Sequence, residues 1–375
     1  MELISLKLLP LTLTLKQPFT SNHDQLRQRQ LTLVQLIDDA HNQAIGEFEA
    51  FDTPTYTAET QPTGRLLLAQ QLGPFLKNKK FADPAAFNRL FANIVGQPMA
   101  LAALEMPVWQ LFANRLQLSL ADYLAQHAKT QVRSVLPVGI SLGVMPWPDL
   151  KQQALQAVAQ GYQRLKVKVA RPADFTKIVA LRQLLPQMPL MVDGNSAFGP
   201  KDLAALKALD PLNLAMIEQP FATTDFVDHA WLQQRLTTPI CLDEPIFTLS
   251  DVQTAAHLKS ASVINLKPAR VGGFTKALAI LQYCQQQHLT CWIGGMVESD
   301  LGRYYSQNLA RLAPFVFPGD VGPATQFFKE SLCLQHPQLI QGALDFTAMP
   351  RSYRQGPILK PEFQAAFKQQ PNLLS

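Results

Sequence analysis

Lys168, Asp193, Glu218, Asp243 and Lys267 follow one another at intervals of 25, 25, 25 and 24 residues, each at or near the C-terminal end of a short apolar run. A period of about 20 to 50 residues marks a repeated supersecondary unit. The runs are "RLKVKV", "PLMVD", "LAMIE", "PICLD" and "SVINLK"; "VLPVGIS" precedes them, and "LTCWIG" and a weakly marked "FVFPGD" follow. Eight such strands with helical stretches between them predict an α/β fold of the (β/α)8 barrel type, in which the strand C-termini converge on one mouth.

The 375 residues are enough for one large domain and a smaller one. Before the barrel, Leu11, Leu13 and Leu15 alternate with Thr12, Thr14 and Lys16, and "QLTLVQLID" and "QAIGEFEAF" alternate in the same way. This predicts three antiparallel strands, with the polar "PFTSNHDQLRQ" between the first two as a mobile flap. Helical patterns follow over about 57–76, 84–94 and 99–126. The expected organisation is an α+β capping domain over 1–130, the barrel over 131–325, and an irregular segment, 326–375, that packs back on the cap.

An apolar fraction of 47% speaks against disorder, and the net charge of +5 comes from Lys and Arg residues that are scattered, with no run of five. No nucleic-acid partner is expected. The N-terminus alternates where a signal sequence would be continuously apolar, and no run reaches the roughly 18 to 20 residues that span a bilayer. Cys241, Cys284, Cys291 and Cys333 form no CxxC pair. A disulfide scaffold or zinc site is therefore not expected, and a reducing cytoplasm is. The seven histidines include no HExxH, and the P-loop, GxSxG and strand-linked GxGxxG patterns are missing.

Taken singly, a carboxylate after a strand is explained as the cap of the next helix. Three in succession need another explanation, because neighbouring strands lie about 4.8 Å apart. Two carboxylates ~5 Å apart at an effective dielectric of 20 repel by roughly 3 kcal/mol. A cation offsets that, and an all-oxygen set of Asp193, Glu218 and Asp243 suits Mg²⁺, or Mn²⁺ in its place, better than zinc.

The lysines have a plain reading as snorkelling or ion-paired groups. Lys168 and Lys267, however, belong to the second and sixth strands, on opposite sides of the barrel, with the acids between them. A lysine with pKa ~10.4 is neutral in only about one molecule in 2,500 at pH 7, so a lysine base has to be depressed. Lys166, about 7 Å from Lys168 along the strand, would supply repulsion of ~2.4 kcal/mol, close to two pK units. Arg270 stands where it could bias Lys267. The backbone amides of Gly294 and Gly295 could meet a substrate anion, and Gly272 and Gly273 could simply start a helix.

The motifs "KVK", "DGN", "EQP", "DE", "NLKPARVGG" and "GGMVESDLGR", in this order and spacing, resemble the enolase superfamily, within it the branch of o-succinylbenzoate synthase and N-acylamino acid racemase. The resemblance spans almost the whole chain, with "PTYTAET" falling in the cap. It implies Mg²⁺ on Asp193, Glu218 and Asp243, with Lys168 and Lys267 as catalytic groups and Ser141, Lys166, Asn195, Arg270, Gly294 and Gly295 as supporting residues. The implied substrate is a small carboxylate, and the assembly a homo-oligomer with no membrane partner. The implied activity is dehydration to o-succinylbenzoate for menaquinone synthesis. Racemisation of N-acylamino acids is the alternative, and a non-catalytic metal- or metabolite-binding barrel the remote one. Asp300 departs from the family's usual glycine, and "RYYSQN" from its usual continuation. An added carboxylate at the mouth would disfavour a doubly anionic substrate.

Overall fold

The alternation of the N-terminal segment becomes a long antiparallel pair, β1 (Leu3–Thr20) and β2 (Gln25–Asp38), in register from Leu3 opposite Asp38 to Thr20 opposite Gln25. The pairing is irregular between Leu3 and Ser5 and between Thr14 and Phe19. β3 (Gln43–Phe48) completes the sheet on the other edge of β2. The computed structural model describes residues 1–20 and 25–374; the centre of the expected flap, residues 21–24, lies outside the described residues.

Leu9, Leu13 and Leu15 are buried, and the helix Pro98–Arg115 packs close against β3 because a Cβ at Gly46 would collide with the Ala103 carbonyl. All three helical expectations change, the stretch expected over 84–94 ending already at Arg89. The stretch expected over 57–76 begins only at Gln61, where Thr60 caps it, and includes a π-helical turn at Leu68–Leu72. The one expected over 99–126 is two helices, Pro98–Arg115 and Leu120–Ala128. Gln117 takes a positive φ of 56°, and Ser119 Oγ accepts from Asp122 N at 3.1 Å to start the second helix.

The first expected barrel strand divides. β4 (Val135–Pro137) leaves for a small antiparallel sheet, while β5 (Ile140–Leu142) opens the parallel one. β6 (Leu165–Lys168), β7 (Leu190–Asp193), β8 (Ile217–Glu218), β9 (Ile240–Leu242), β10 (Val263–Leu266) and β11 (Thr290–Ile293) then follow in unbroken spatial order. The eighth unit is a bridging segment, not a regular strand. Gly139 N donates to Gly319 O at 2.9 Å, and Asp320 N donates to Ile293 O at 2.9 Å, so residues 319–320 join β11 to the start of β5 and close the ring. A Pro-Gly pair, Pro318–Gly319, leaves too few regular positions there for a full ladder.

The inner wall is built in layers. Met191, Met216, Cys241, Val263 and Trp292 pack together as one buried apolar cluster. Two residues further along the first four strands stand Asp193, Glu218, Asp243 and Asn265, because strand side chains repeat on one face with period two. An apolar floor therefore sits directly below a charged layer.

The C-terminal segment is more regular than expected: β12 (Gln338–Ile340) pairs with β13 (Ala343–Asp345), β13 pairs in turn with β4, and the helix Pro361–Lys368 follows. The tail then returns to the first sheet, where Leu373 N donates to Leu6 O at 2.8 Å. Two cap carboxylates tie the cap to the barrel. Glu105 accepts from Phe274 N at 2.7 Å and Thr275 N at 2.9 Å, and Glu47 accepts from Ser299 N at 2.9 Å and Gly302 N at 3.2 Å. Gly273, at φ 101°, precedes the helix Phe274–Gln286, where a Cβ would collide with Glu105. Among the described residues no helix is long and apolar enough to cross a membrane.

Candidate active site

Asp193 and Glu218 are register partners at the ends of adjacent parallel strands, and Asp243 follows β9 directly. All three are almost fully buried. Lys168, opposite Asp193 in the ladder, places Nζ 2.8 Å from Asp193 Oδ2 and also donates to Asn195 Oδ1. From the far side of the ring, Lys267 Nζ stands 2.8 Å from Asp243 Oδ2. Both lysines line a solvent-open recess of about 910 Å³, together with Ser141, Lys166, Asp193, Asn195, Asp243 and Gly295.

Lys166 differs from its expected role. Its ammonium group lies 2.8 Å from Asp320 Oδ2, 3.2 Å from Glu218 Oε2 and 3.5 Å from Asp193 Oδ2. Burial opposes its charge, but Asp320, Glu218 and Asp193 outweigh burial and hold its pKa well above the ordinary value. What stands beside Lys168 is therefore not a lone ammonium but one paired with three carboxylates.

Arg270 meets Lys267 through a shared carboxylate. Its Nη1 donates to Asp243 Oδ1 at 2.5 Å, so the two cations share one carboxylate. Burial works against the Asp243 charge, and Arg270 followed by Lys267 more than reverses this, holding the carboxyl far below the usual range. Gly294 spends its N–H on Leu266 O at 3.1 Å, so that amide does not face a substrate; Gly295 is the one of the pair that lines the recess. Asp300 does not line the recess. It accepts from Leu332 N at 3.0 Å and Cys333 N at 2.9 Å, which turns its charge toward the C-terminal segment. The expected obstacle to a dianionic substrate is removed.

Several site residues escaped the sequence reading. Asp320, on the closing segment, accepts from Ser141 Oγ at 2.9 Å and pairs with Arg164 at 2.8 Å and with Lys166. Tyr56 reaches in from the cap, its hydroxyl accepting from Lys267 Nζ at 2.7 Å and donating to Asp243 Oδ2 at 3.1 Å. Glu244 accepts from Asn195 Nδ2 at 3.0 Å. Arg303 lines the recess from the helix Asp300–Ala310. One more period beyond Ile293 falls two residues short of Asp320, so that residue carried a signal. Tyr56 carried none.

Among the described residues no group of three or more His, Cys, Asp or Glu side chains stands arranged to hold a metal ion; ammonium and guanidinium groups face the carboxylates instead. The donor set nevertheless fits a hard dication. Burial pushes Glu218 up to about 7 against the pull of Lys166, and burial with Asp243 and Asp193 pushes Glu244 up to about 8, so both carboxyls would gain from a bound cation. Glu244 Oε2 and Asn265 Oδ1 are buried and, among the described residues, have no hydrogen-bond partner. Asp193, Glu218 and Asp243 would supply oxygen ligands of the kind Mg²⁺ takes.

A parallel barrel with an acidic layer at its mouth, a lysine on either side and a separate α+β cap defines a carboxylate-handling barrel enzyme. A family model described as enolase C-terminal domain-like matches residues 149–350. The chain is 41% identical to the o-succinylbenzoate synthase of Enterococcus faecalis, over 92% of this chain and 93% of that protein. It is 35% identical to the N-succinylamino acid racemase of Thermus thermophilus, over 86% of each. A solved structure of an enolase superfamily member from Enterococcus faecalis superposes with a TM-score of 0.91 at 38% identity, covering 100% of this chain and 99% of the other. The chain belongs to the enolase superfamily, in the branch that holds o-succinylbenzoate synthases and N-succinylamino acid racemases.

Proposed function

We propose that this protein dehydrates 2-succinyl-6-hydroxy-2,4-cyclohexadiene-1-carboxylate to 2-succinylbenzoate, the o-succinylbenzoate synthase reaction, and so serves menaquinone biosynthesis. The observation that carries the reading is the pair of lysines, Lys168 on β6 and Lys267 just beyond β10, each 2.8 Å from one of the carboxylates between them. Relatives of 35–41% identity named for this activity support it.

In this reading the substrate lies between the lysines with its ring carboxylate toward Asp193, Glu218 and Asp243. Those three residues would hold Mg²⁺, or Mn²⁺ in its place, and the bound ion would stabilise the second negative charge that grows on the substrate carboxylate as the α-proton leaves. Lys168 takes that proton, breaking the C–H bond, and returns it to the departing hydroxyl, so that water leaves and the ring becomes aromatic. Asn195 and Asp193 hold the Lys168 ammonium in place between the two transfers. Lys267 stays cationic, fixed by Asp243 and the Tyr56 hydroxyl, and stabilises the charge from the opposite face.

The racemase reading also has an observation in its favour, the same placement of the lysines on opposite sides of the ring, which suits exchange of a proton on either face of an N-succinylamino acid. A reducing cytoplasm, suited to four cysteines that are all free and buried, and a homo-oligomeric state belong to the proposal. Purified protein with Mg²⁺ should convert the cyclohexadiene to the aromatic product, lose this activity in EDTA and regain it when Mg²⁺ is restored. Cα hydrogen exchange on N-succinylamino acids without any dehydration would reverse the order of the two readings.

A further inference from the structure

Arg303 is a cation of the recess that the proposed chemistry leaves without a task. It stands on the first turn of the helix Asp300–Ala310, is 2% exposed, and lines the same space as Lys166, Lys168 and Lys267. Each of those lysines has a carboxylate oxygen at 2.8 Å. Arg303 is held less completely.

Its Nε lies 3.3 Å from Glu298 Oε1, but the pair makes no hydrogen bond, and both atoms are buried without a partner among the described residues. The other oxygen of Glu298 is taken by Met296 N at 2.6 Å. Arg303 Nη1 donates to the Asp320 carbonyl, and the Phe327 ring centroid lies 5.6 Å from the guanidinium carbon. Gly295 makes room on the recess side: a Cβ there would stand 3.1 Å from Nη2 and 3.2 Å from Nη1.

A guanidinium offers five N–H donors in a planar fork that matches a carboxylate. Burying one with donors unmet is costly unless a partner arrives. Glu298 neutralises the charge without satisfying the fork, so an incoming carboxylate would gain hydrogen bonds and not only charge. Phe19 and Phe327, in edge contact with centroids 5.7 Å apart, line the adjoining wall and suit a short methylene chain. Asp300, the carboxylate that would have repelled such a group, faces residues 331–333 instead.

We propose that Arg303 is the specificity residue of this site, binding the distal carboxylate of the substrate's succinyl chain while the ring or amino-acid carboxylate occupies the acidic layer's side. The inference rests on the reading above, in which the substrate carries a succinyl group, and adds which residue recognises it. The enzyme then selects dianions, with one carboxylate for each end of the recess.

The test is calorimetric binding of 2-succinylbenzoate, and of its analogue with the succinyl carboxylate converted to a neutral amide, to Mg²⁺-loaded wild type, Arg303→Met and Arg303→Lys, alongside wild-type turnover. The wild type should prefer the dianion by roughly 10- to 100-fold, the scale of hydrogen bonds to a charged group. Arg303→Met should lose that preference while its affinity for the amide stays unchanged, and Arg303→Lys, which lacks the fork, should keep only part of it. A wild type that turns over substrate yet shows no preference, or a folded Arg303→Met protein that retains it, overturns the inference. If Arg303→Met does not fold, an undiminished preference in Arg303→Lys overturns it as well. A wild type that neither turns over the cyclohexadiene nor binds 2-succinylbenzoate overturns the dehydratase reading itself.

Discussion

Lys166 Nζ stands 2.8 Å from Asp320 Oδ2, an ion pair that joins β6 to the segment closing the barrel. Asp320 also holds Arg164 at 2.8 Å, and the Trp292 ring centroid lies 5.2 Å from the Lys166 ammonium, so one carboxylate anchors two buried cations above the apolar floor. Without Asp320, Lys166 keeps Glu218 and Asp193, but Arg164 loses the carboxylate it pairs with, and a buried charge stripped of its partner costs about 3–5 kcal/mol. Asp320→Asn should lower the unfolding free energy in urea by that order. A loss below about 1 kcal/mol, the scale of an exposed ion pair, would show that the closure does not depend on this contact.

Lys168→Ala should keep the fold, by circular dichroism and thermal midpoint, while turnover falls by at least about 10²-fold, the usual worth of a positioned proton-transfer group. Lys267→Ala should also lose turnover. Unchanged rates in both would favour the non-catalytic barrel.

Mg²⁺ should stabilise the fold because it binds the native acidic layer and not the unfolded chain. With free Mg²⁺ at 100 times its dissociation constant, the gain is about 2.7 kcal/mol. The thermal midpoint should rise with Mg²⁺ and return in EDTA, and Glu218→Gln should blunt the response. A midpoint indifferent to Mg²⁺ in the wild type would argue against a carboxylate metal site.

His229 gives stability a pH dependence of predictable sign. It is buried; its Nε2 accepts from Phe221 N at 3.2 Å and its Nδ1 contacts the Asp225 carbonyl, so the ring is neutral with its proton on Nδ1. Burial holds its pKa below the ordinary 6.5, with the Asp225 contact offsetting only part of the effect. Below that ordinary value the unfolded chain takes up a proton that the fold resists. This contribution is therefore fully present above it and is lost as pH falls through the folded pKa. Unfolding free energies measured from about pH 7 down to about pH 5 should decline less steeply in His229→Gln than in the wild type. Parallel declines would remove the imidazole from the account.

Glu105 links cap and barrel by accepting from Phe274 N, Thr275 N and Trp109 Nε1. Glu105→Ala leaves those buried donors unmet and should cost about 2–4 kcal/mol, read as a lower denaturant midpoint. Glu105→Gln, which keeps an acceptor, should lose less.

The barrel was legible because its charged layer repeats with the βα unit. One residue per strand end is enough to count strands, and the period-two rule then places each charge on the inner wall. The eighth strand was weakly marked for a physical reason: after Pro318, which has no N–H to give, Gly319 and Asp320 close the ring through single hydrogen bonds and not through a ladder. The split of the helix expected over 99–126 was hidden because its apolar pattern runs through the break at Gln117 to Ser119.

By itself the sequence determined the chemistry available at the mouth: three carboxylates and two lysines in a barrel, since covalent spacing along a repeated unit sets which strand end carries which group. Only the tertiary structure decided how those charges are shared. Lys166 was read as the neighbour that depresses Lys168, but three carboxylates from β7, β8 and residue 320 surround it. Asp300 was read as a charge at the mouth, but it faces the C-terminal segment. Tyr56 arrives from a cap loop 211 residues before Lys267. Electrostatic energy depends on distances through space, and those distances are set by packing between segments far apart in the chain.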